Sequence, residues 1–151
     1  MAFEKRILLA RPHAFIVNQM RPFLVDAGYV GVGARDLDHL RAELGSSLKG
    51  AIISTAVTST VDADAAAVLR LVREMQPNLP VVFAGMADAA TMRSTAERAV
   101  KGLVPSPVFA GPADYRAGLN RSTSFLILRK DDLLNAVSIE LATRALRSHF
   151  G

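Results

Sequence analysis

The sequence contains no cysteine. That excludes disulfides, thiol nucleophiles and thiolate-held zinc or iron–sulfur centres together, and it suits a reducing compartment. Tryptophan is absent too, and aromatic residues make up only 6%, so the chain lacks the platforms on which nucleic-acid bases stack. No apolar run approaches the roughly 18 residues that a membrane-spanning helix needs. Met1 to Arg11 has no signal-peptide architecture, because Glu4, Lys5 and Arg6 lead into a short apolar stretch that stops at Arg11. A cytoplasmic protein without membrane association is therefore expected. A strong charge excess is also missing: 18 Lys and Arg against 14 Asp and Glu give +4, with an isoelectric point near 10.0. The imbalance sits late in the chain. Residues 1–100 hold 11 basic side chains against 10 acidic ones, and residues 101–151 hold 7 against 4.

Motifs for several chemistries are missing as well. His13, His39 and His149 are solitary and lack metal-ligand spacing. Asp62 and Asp64 read as a helix N-cap and a first-turn acid. Gly31-Val32-Gly33 lacks a third glycine and lies on a strand, so it is no dinucleotide fingerprint. No Ser/His/Asp set has a motif context, so nothing supports a hydrolase. No catalytic residue, cofactor or metal is expected.

What is present is a regular alternation. Ile7–Ala10, Val30–Ala34, Ala51–Ser54, Val81–Ala84 and Gly102–Val104 read as short buried strands. Between them lie stripes of helical period: Ile16, Met20, Phe23, Leu24 and Ala27, closed by Gly28; then Leu37, Leu40 and Leu44, capped by Asp36; then Ala65, Val68, Leu69 and Val72; then Met92, Ala96, Ala99 and Val100. Pro22 should kink the first helix or make it start late. Apolar strands alternating with helices imply a parallel sheet covered on both faces. The fold class is α/β, a flavodoxin-like doubly wound five-stranded parallel sheet in a single domain over 1–151.

From Val108 the rhythm breaks, and residues 108–130 read as an insertion or arm. It is expected to hold an extra helix around Ala113–Asn120, or an added edge strand at Phe125–Leu128. That strand competes with Leu103-Val104 for the fifth place in the sheet. A helix beginning at Asp131 then carries Leu134, Val137, Leu141 and Ala145 on its inward face and runs to Ser148.

Four segments carry a family resemblance. Arg6-Ile7-Leu8-Leu9-Ala10-Arg11-Pro12-His13, Gln76-Pro77-Asn78-Leu79-Pro80-Val81-Val82-Phe83, Glu97 to Pro107 and Asp131-Asp132-Leu133-Leu134-Asn135-Ala136-Val137 stand in this order. Together they resemble response-regulator receiver domains over residues 5–107 and 131–148. That family's chemistry uses two acids for Mg²⁺, an aspartate nucleophile, a hydroxyl residue and a lysine. The resemblance puts these on Arg11 and Pro12, on Thr55 (Ser54 if the register slips by one), on Gly85 and on Ser106. A cation and a proline cannot bind Mg²⁺, and a threonine hydroxyl is a poor acyl-phosphate acceptor. The resemblance thus implies a degenerate pseudo-receiver, without enzymatic activity, in bacterial signalling.

Two further expectations follow. Arg11, Ser54, Thr55, Thr58, Ser59 and Ser106 should meet at the sheet's C-terminal edge, where they form an anion site for a phosphate-bearing ligand or merely cap turns. The resemblance also implies a partner and dimer surface built from Met92, Arg93, Arg98, Lys101, Phe125, Arg129, Lys130, Arg144 and Arg147. The expected partner is a signalling protein with an acidic patch, or a second copy in a homodimer. Binding of the nucleic-acid backbone is the alternative.

Overall fold

The structure is a computed structural model that describes residues 4–14, 16–116, 118–120 and 122–151. Six parallel strands are found among them: β1 (Arg6–Arg11), β2 (Val30–Gly33), β3 (Gly50–Ser54), β4 (Val81–Gly85), β5 (Val108–Ala110) and β6 (Ser124–Arg129). They form one sheet in the order β2-β1-β3-β4-β6-β5. The helices are α1 (Arg21–Ala27), α2 (Leu37–Leu44), α3 (Ala65–Met75), α4 (Ala89–Val100) and α5 (Ala136–Phe150).

The alternation of side chains along each strand splits the core in two. Leu8, Ile53 and Phe83 point into a cluster with Leu40 of α2, Leu69 of α3 and Met92 of α4. Ile7, Leu9, Ile52 and Val82 point the other way, onto Leu24 of α1 and Ala142 and Leu146 of α5. Both sheet faces are covered, which is why the strands are nearly all apolar. Each such buried side chain contributes about 1.5–3 kcal/mol relative to exposure.

Local signals act as their chemistry dictates. Asp36 Oδ1 and Asp64 Oδ1 accept the His39 and Ala67 amides at 2.8 Å each, capping α2 and α3. Pro22 sits in the first turn of α1, where its missing N–H costs nothing. The chain reaches it through a π-helical turn, Ile16–Met20. The helix thus starts late rather than kinking.

Three expectations need correction. First, the sheet has six strands, and Gly102-Leu103-Val104 is not one of them. Gly102, at φ 76°, ends α4, and the Leu103 and Val104 amides fold back onto the Val100 carbonyl at 2.9 and 3.0 Å. Pro105 and Pro107 then supply no amide to a ladder. The place beside β4 goes to β6, whose register sets Val81 against Phe125 and Gly85 against Arg129. Both β5 and β6 come from the segment read as an insertion, and the true detour is residues 101–123. Second, the described residues of 113–120 form turns rather than a helix. Third, α5 begins at Ala136, after a 3₁₀ turn at Lys130–Leu133. Its buried face is Ala142, Ala145, Leu146, His149 and Phe150, at spacings of three and four. Leu134, Val137 and Leu141 are left 65%, 79% and 39% exposed, and of the expected inward stripe only Ala145 is buried.

Candidate functional site

The C-terminal ends of β1, β3, β4 and β6 define one edge of the sheet. Arg11 is the last residue of β1, at a register slip against β3 between Leu9 and Arg11; such a slip re-aims a side chain. Its side chain does not point to solvent. Arg11 is only 4% exposed, and its guanidinium donates to four main-chain carbonyls of the β3–α3 connection. Nε reaches Ala63 O at 2.8 Å, Nη1 reaches Ser54 O at 3.0 Å and also Ala56 O, and Nη2 reaches Val57 O at 3.0 Å. Burial lowers the Arg11 pKa from its ordinary value, and the carboxylate of Asp64 opposes that shift. The group stays cationic, as arginine does in proteins. A planar fork of five donors suits this task, because it satisfies carbonyls that diverge from one another.

The hydroxyls beside it are spent on the backbone. Ser54 Oγ accepts the Ala56 amide at 3.0 Å. Ser59 Oγ donates to Pro12 O at 2.6 Å and accepts the Val61 amide at 3.2 Å. Thr58 is exposed. Thr55 Oγ1 lies 3.2 Å from Met92 Sδ and 3.5 Å from Ala84 O. Gly85 is set by this contact: a Cβ there would lie 2.3 Å from Thr55 Oγ1 and 2.8 Å from Met92 Sδ. Thr55 therefore fills the space that a side chain at 85 would need, and no base adjoins its hydroxyl in these contacts. Among the described residues, no group of three or more His, Asp or Glu is placed to hold a metal ion.

The expected anion cradle does not assemble. Ser106 precedes β5, whose first residue pairs with Ser124 at the start of β6, so it lies at the opposite, N-terminal edge of the sheet. Among the described residues it is also the non-glycine residue with positive φ, at 47°. The cation at the end of the strand beside β4 is Arg129, which pairs in register with Gly85 and is followed by Lys130. The sequence leaves Leu103-Val104 and Phe125–Leu128 both open as the fifth strand, and the resemblance follows the first, which puts the lysine position on Ser106 rather than on Arg129. The signal was the apolar run Phe125–Leu128 ending in Arg-Lys. Arg129 Nη1 bonds Asp131 at 3.2 Å, and its amide donates to Asp132 Oδ2 at 2.7 Å. Asp88 is held below the usual carboxylate range chiefly by the Thr91 amide, with a smaller contribution from Arg129.

The other predicted surface divides. Arg93, Arg98 and Lys101 on or just after α4, and Arg144 and Arg147 on α5, are exposed; Arg129 and Lys130 are partly buried. Met92 and Phe125 are buried and leave the set. Met92 packs under Thr55, and Phe125 lies between Phe83 and Phe109 with ring centroids 5.5 and 5.6 Å away. Arg93 and Arg144 pair with Glu97 at 3.0 Å and Glu140 at 2.5 Å on their own helices. Between α4, the β5–β6 edge and α5 lies a cavity of about 290 Å³.

No family model and no curated protein matches the sequence. Solved structures do resemble it. NtrX from Brucella abortus superposes with a TM-score of 0.59 at 17% identity over 97% of this chain, which spans only 28% of the NtrX chain. A response regulator receiver protein from Sinorhizobium medicae matches at TM-score 0.57 and 20% identity, over 97% of this chain and 94% of its own. The signal receiver domain of an HD domain-containing protein from Pseudomonas fluorescens gives TM-score 0.59 at 14% identity, over 99% and 92% of the two chains. With its parallel sheet wound on both faces, and with one additional edge strand, this chain has the fold of a response-regulator receiver domain.

Proposed function

We propose that this chain is a pseudo-receiver, unable to take up phosphate on aspartate, that acts as a protein–protein interaction module in bacterial two-component signalling. The observation that carries the reading is the buried guanidinium of Arg11, which binds four carbonyls at the edge where an acidic, Mg²⁺-holding cleft would be needed. Thr55, with sulfur and carbonyl neighbours, offers no carboxylate nucleophile. The chain is read as non-enzymatic and cytoplasmic; no described helix is long and apolar enough to cross a membrane.

The working surface is the one flanked by Arg93, Arg98 and Lys101 on one side and by Leu134, Val137 and Arg144 on the other. Exposed apolar side chains beside basic ones suit a protein partner with an acidic patch, or a second copy of the chain. Incubation with Mg²⁺ and acetyl phosphate tests the first half of the proposal. The intact mass should stay unchanged; a phosphorylated species, acid-labile or acid-stable, overturns it.

A further inference from the structure

The cavity beside β5 goes beyond that reading: it lies between α4, β5, β6 and α5, away from the Arg11 edge, and shares Arg93 with the proposed partner surface. Its apolar lining comes from Phe109 and Ala110 of β5, Ile127 of β6 and the 39%-exposed Leu141 of α5. Its rim is charged, with both signs present. Arg93 and Arg129 stand on it, and so do Asp114 and Asp132. The Arg93 guanidinium lies 5.9 Å from the Phe109 ring centroid. Its Nε is held by Glu97 at 3.0 Å, and its two terminal nitrogens have no hydrogen bond among the described residues. Asp114 is exposed, and its carboxylate likewise has no described partner. Asp132 spends Oδ2 on the Arg129 amide. Ser138 donates its one proton to Asn135 O at 3.0 Å and accepts the Asn135 amide at 3.2 Å.

This arrangement discriminates by charge. A bare carboxylate in the cavity meets Asp114 and Asp132; a bare amine meets Arg93 and Arg129. A neutral hydrocarbon leaves all four groups unused. Only a molecule with both charges and an apolar body complements the rim and the apolar lining together. The volume, at the small end of ligand cavities, suits a molecule of roughly ten to fifteen non-hydrogen atoms. We infer that this cavity binds a free α-amino acid with a large apolar side chain, its carboxylate toward Arg93 and its ammonium toward Asp114.

Calorimetric titration of the full chain with L-phenylalanine, 3-phenylpropanoate and phenethylamine tests this. Phenylalanine should bind at least about tenfold tighter than either single-charge analogue. Asp114→Asn should weaken phenylalanine while leaving phenylpropanoate equal or tighter, and Arg93→Gln should weaken phenylalanine and phenylpropanoate alike. Both side chains are exposed, so the variants should fold, and thermal unfolding checks that they do. Leu141→Trp sets an indole against the apolar lining and should weaken binding by narrowing the cavity. Equal affinity for phenylalanine and phenylpropanoate overturns the inference, as does no heat from phenylalanine at millimolar concentration.

Discussion

Replacing Arg11 by methionine keeps an unbranched apolar stem and removes the guanidinium with its five donors. Four carbonyls lose their partner: Ser54, Ala56, Val57 and Ala63. The bond to Ser54 O is fully buried, whereas the other three are only partly so, and water takes their place. A buried acceptor left unpaired costs about 1–3 kcal/mol. Each replaced charge-assisted bond loses a fraction of its roughly 1.5–3 kcal/mol, and relief of the desolvated cation offsets part of that loss. The net destabilisation should be about 2–4 kcal/mol. For a chain of this size that lowers the midpoint of thermal unfolding by roughly 5–15 °C. Urea unfolding followed by circular dichroism measures it directly, with a lower midpoint and an unchanged slope. Arg11→Lys should recover little, because one ammonium cannot span carbonyls that diverge. An Arg11→Met protein within about 0.5 kcal/mol of the native one would refute the idea that this guanidinium organises the β3–α3 connection.

Two other outcomes are expected. Val137 is 79% exposed, so Val137→Asp should leave stability within about 0.5 kcal/mol while abolishing self-association; sedimentation that is unchanged from the native chain removes Val137 from the proposed surface. Asp88 caps α4 with its carboxylate, and its folded pKa lies below the ordinary 3.8. Its contribution is therefore complete above that value and is lost as the pH falls through the lower, folded-state value. Amide exchange at Thr91 should stay protected from neutral pH down to about 4 and weaken only below it; weakening already near pH 6 contradicts the assignment.

Much of the fold was legible because local and long-range demands agree there. Ile7–Ala10, Ala51–Ile53 and Val81–Ala84 are apolar at every position, as central parallel strands must be, and Asp36 and Asp64 stand where helices begin. Agreement failed where two segments competed for one place. Gly102-Leu103-Val104 follows a helix at ordinary spacing, yet Phe125–Leu128 buries two more large side chains and meets no proline. The α5 stripe was misread because Leu134, Val137 and Leu141 keep a helical apolar period on an exposed face, whereas Ala142, Ala145, Leu146, His149 and Phe150 meet the core. The site was less legible. Nothing in the sequence states that the carbonyls after β3 face inward, and only that orientation makes Arg11 an internal donor rather than a solvent-facing cation.

The position of β6 also sets a sequence of events in time. Val81 meets Phe125, 44 positions further along the chain, whereas a strand at Leu103 would have closed the sheet after 22. Doubling a closing loop costs about 0.6 kcal/mol of chain entropy, a slowing of about threefold if that closure is rate-limiting. The half of the sheet nearest β1 is then complete while β4 still waits for its neighbour. During that interval the outer edge of β4, apolar from Val81 to Ala84, is open to other chains, so the yield of refolding should fall as the protein concentration rises.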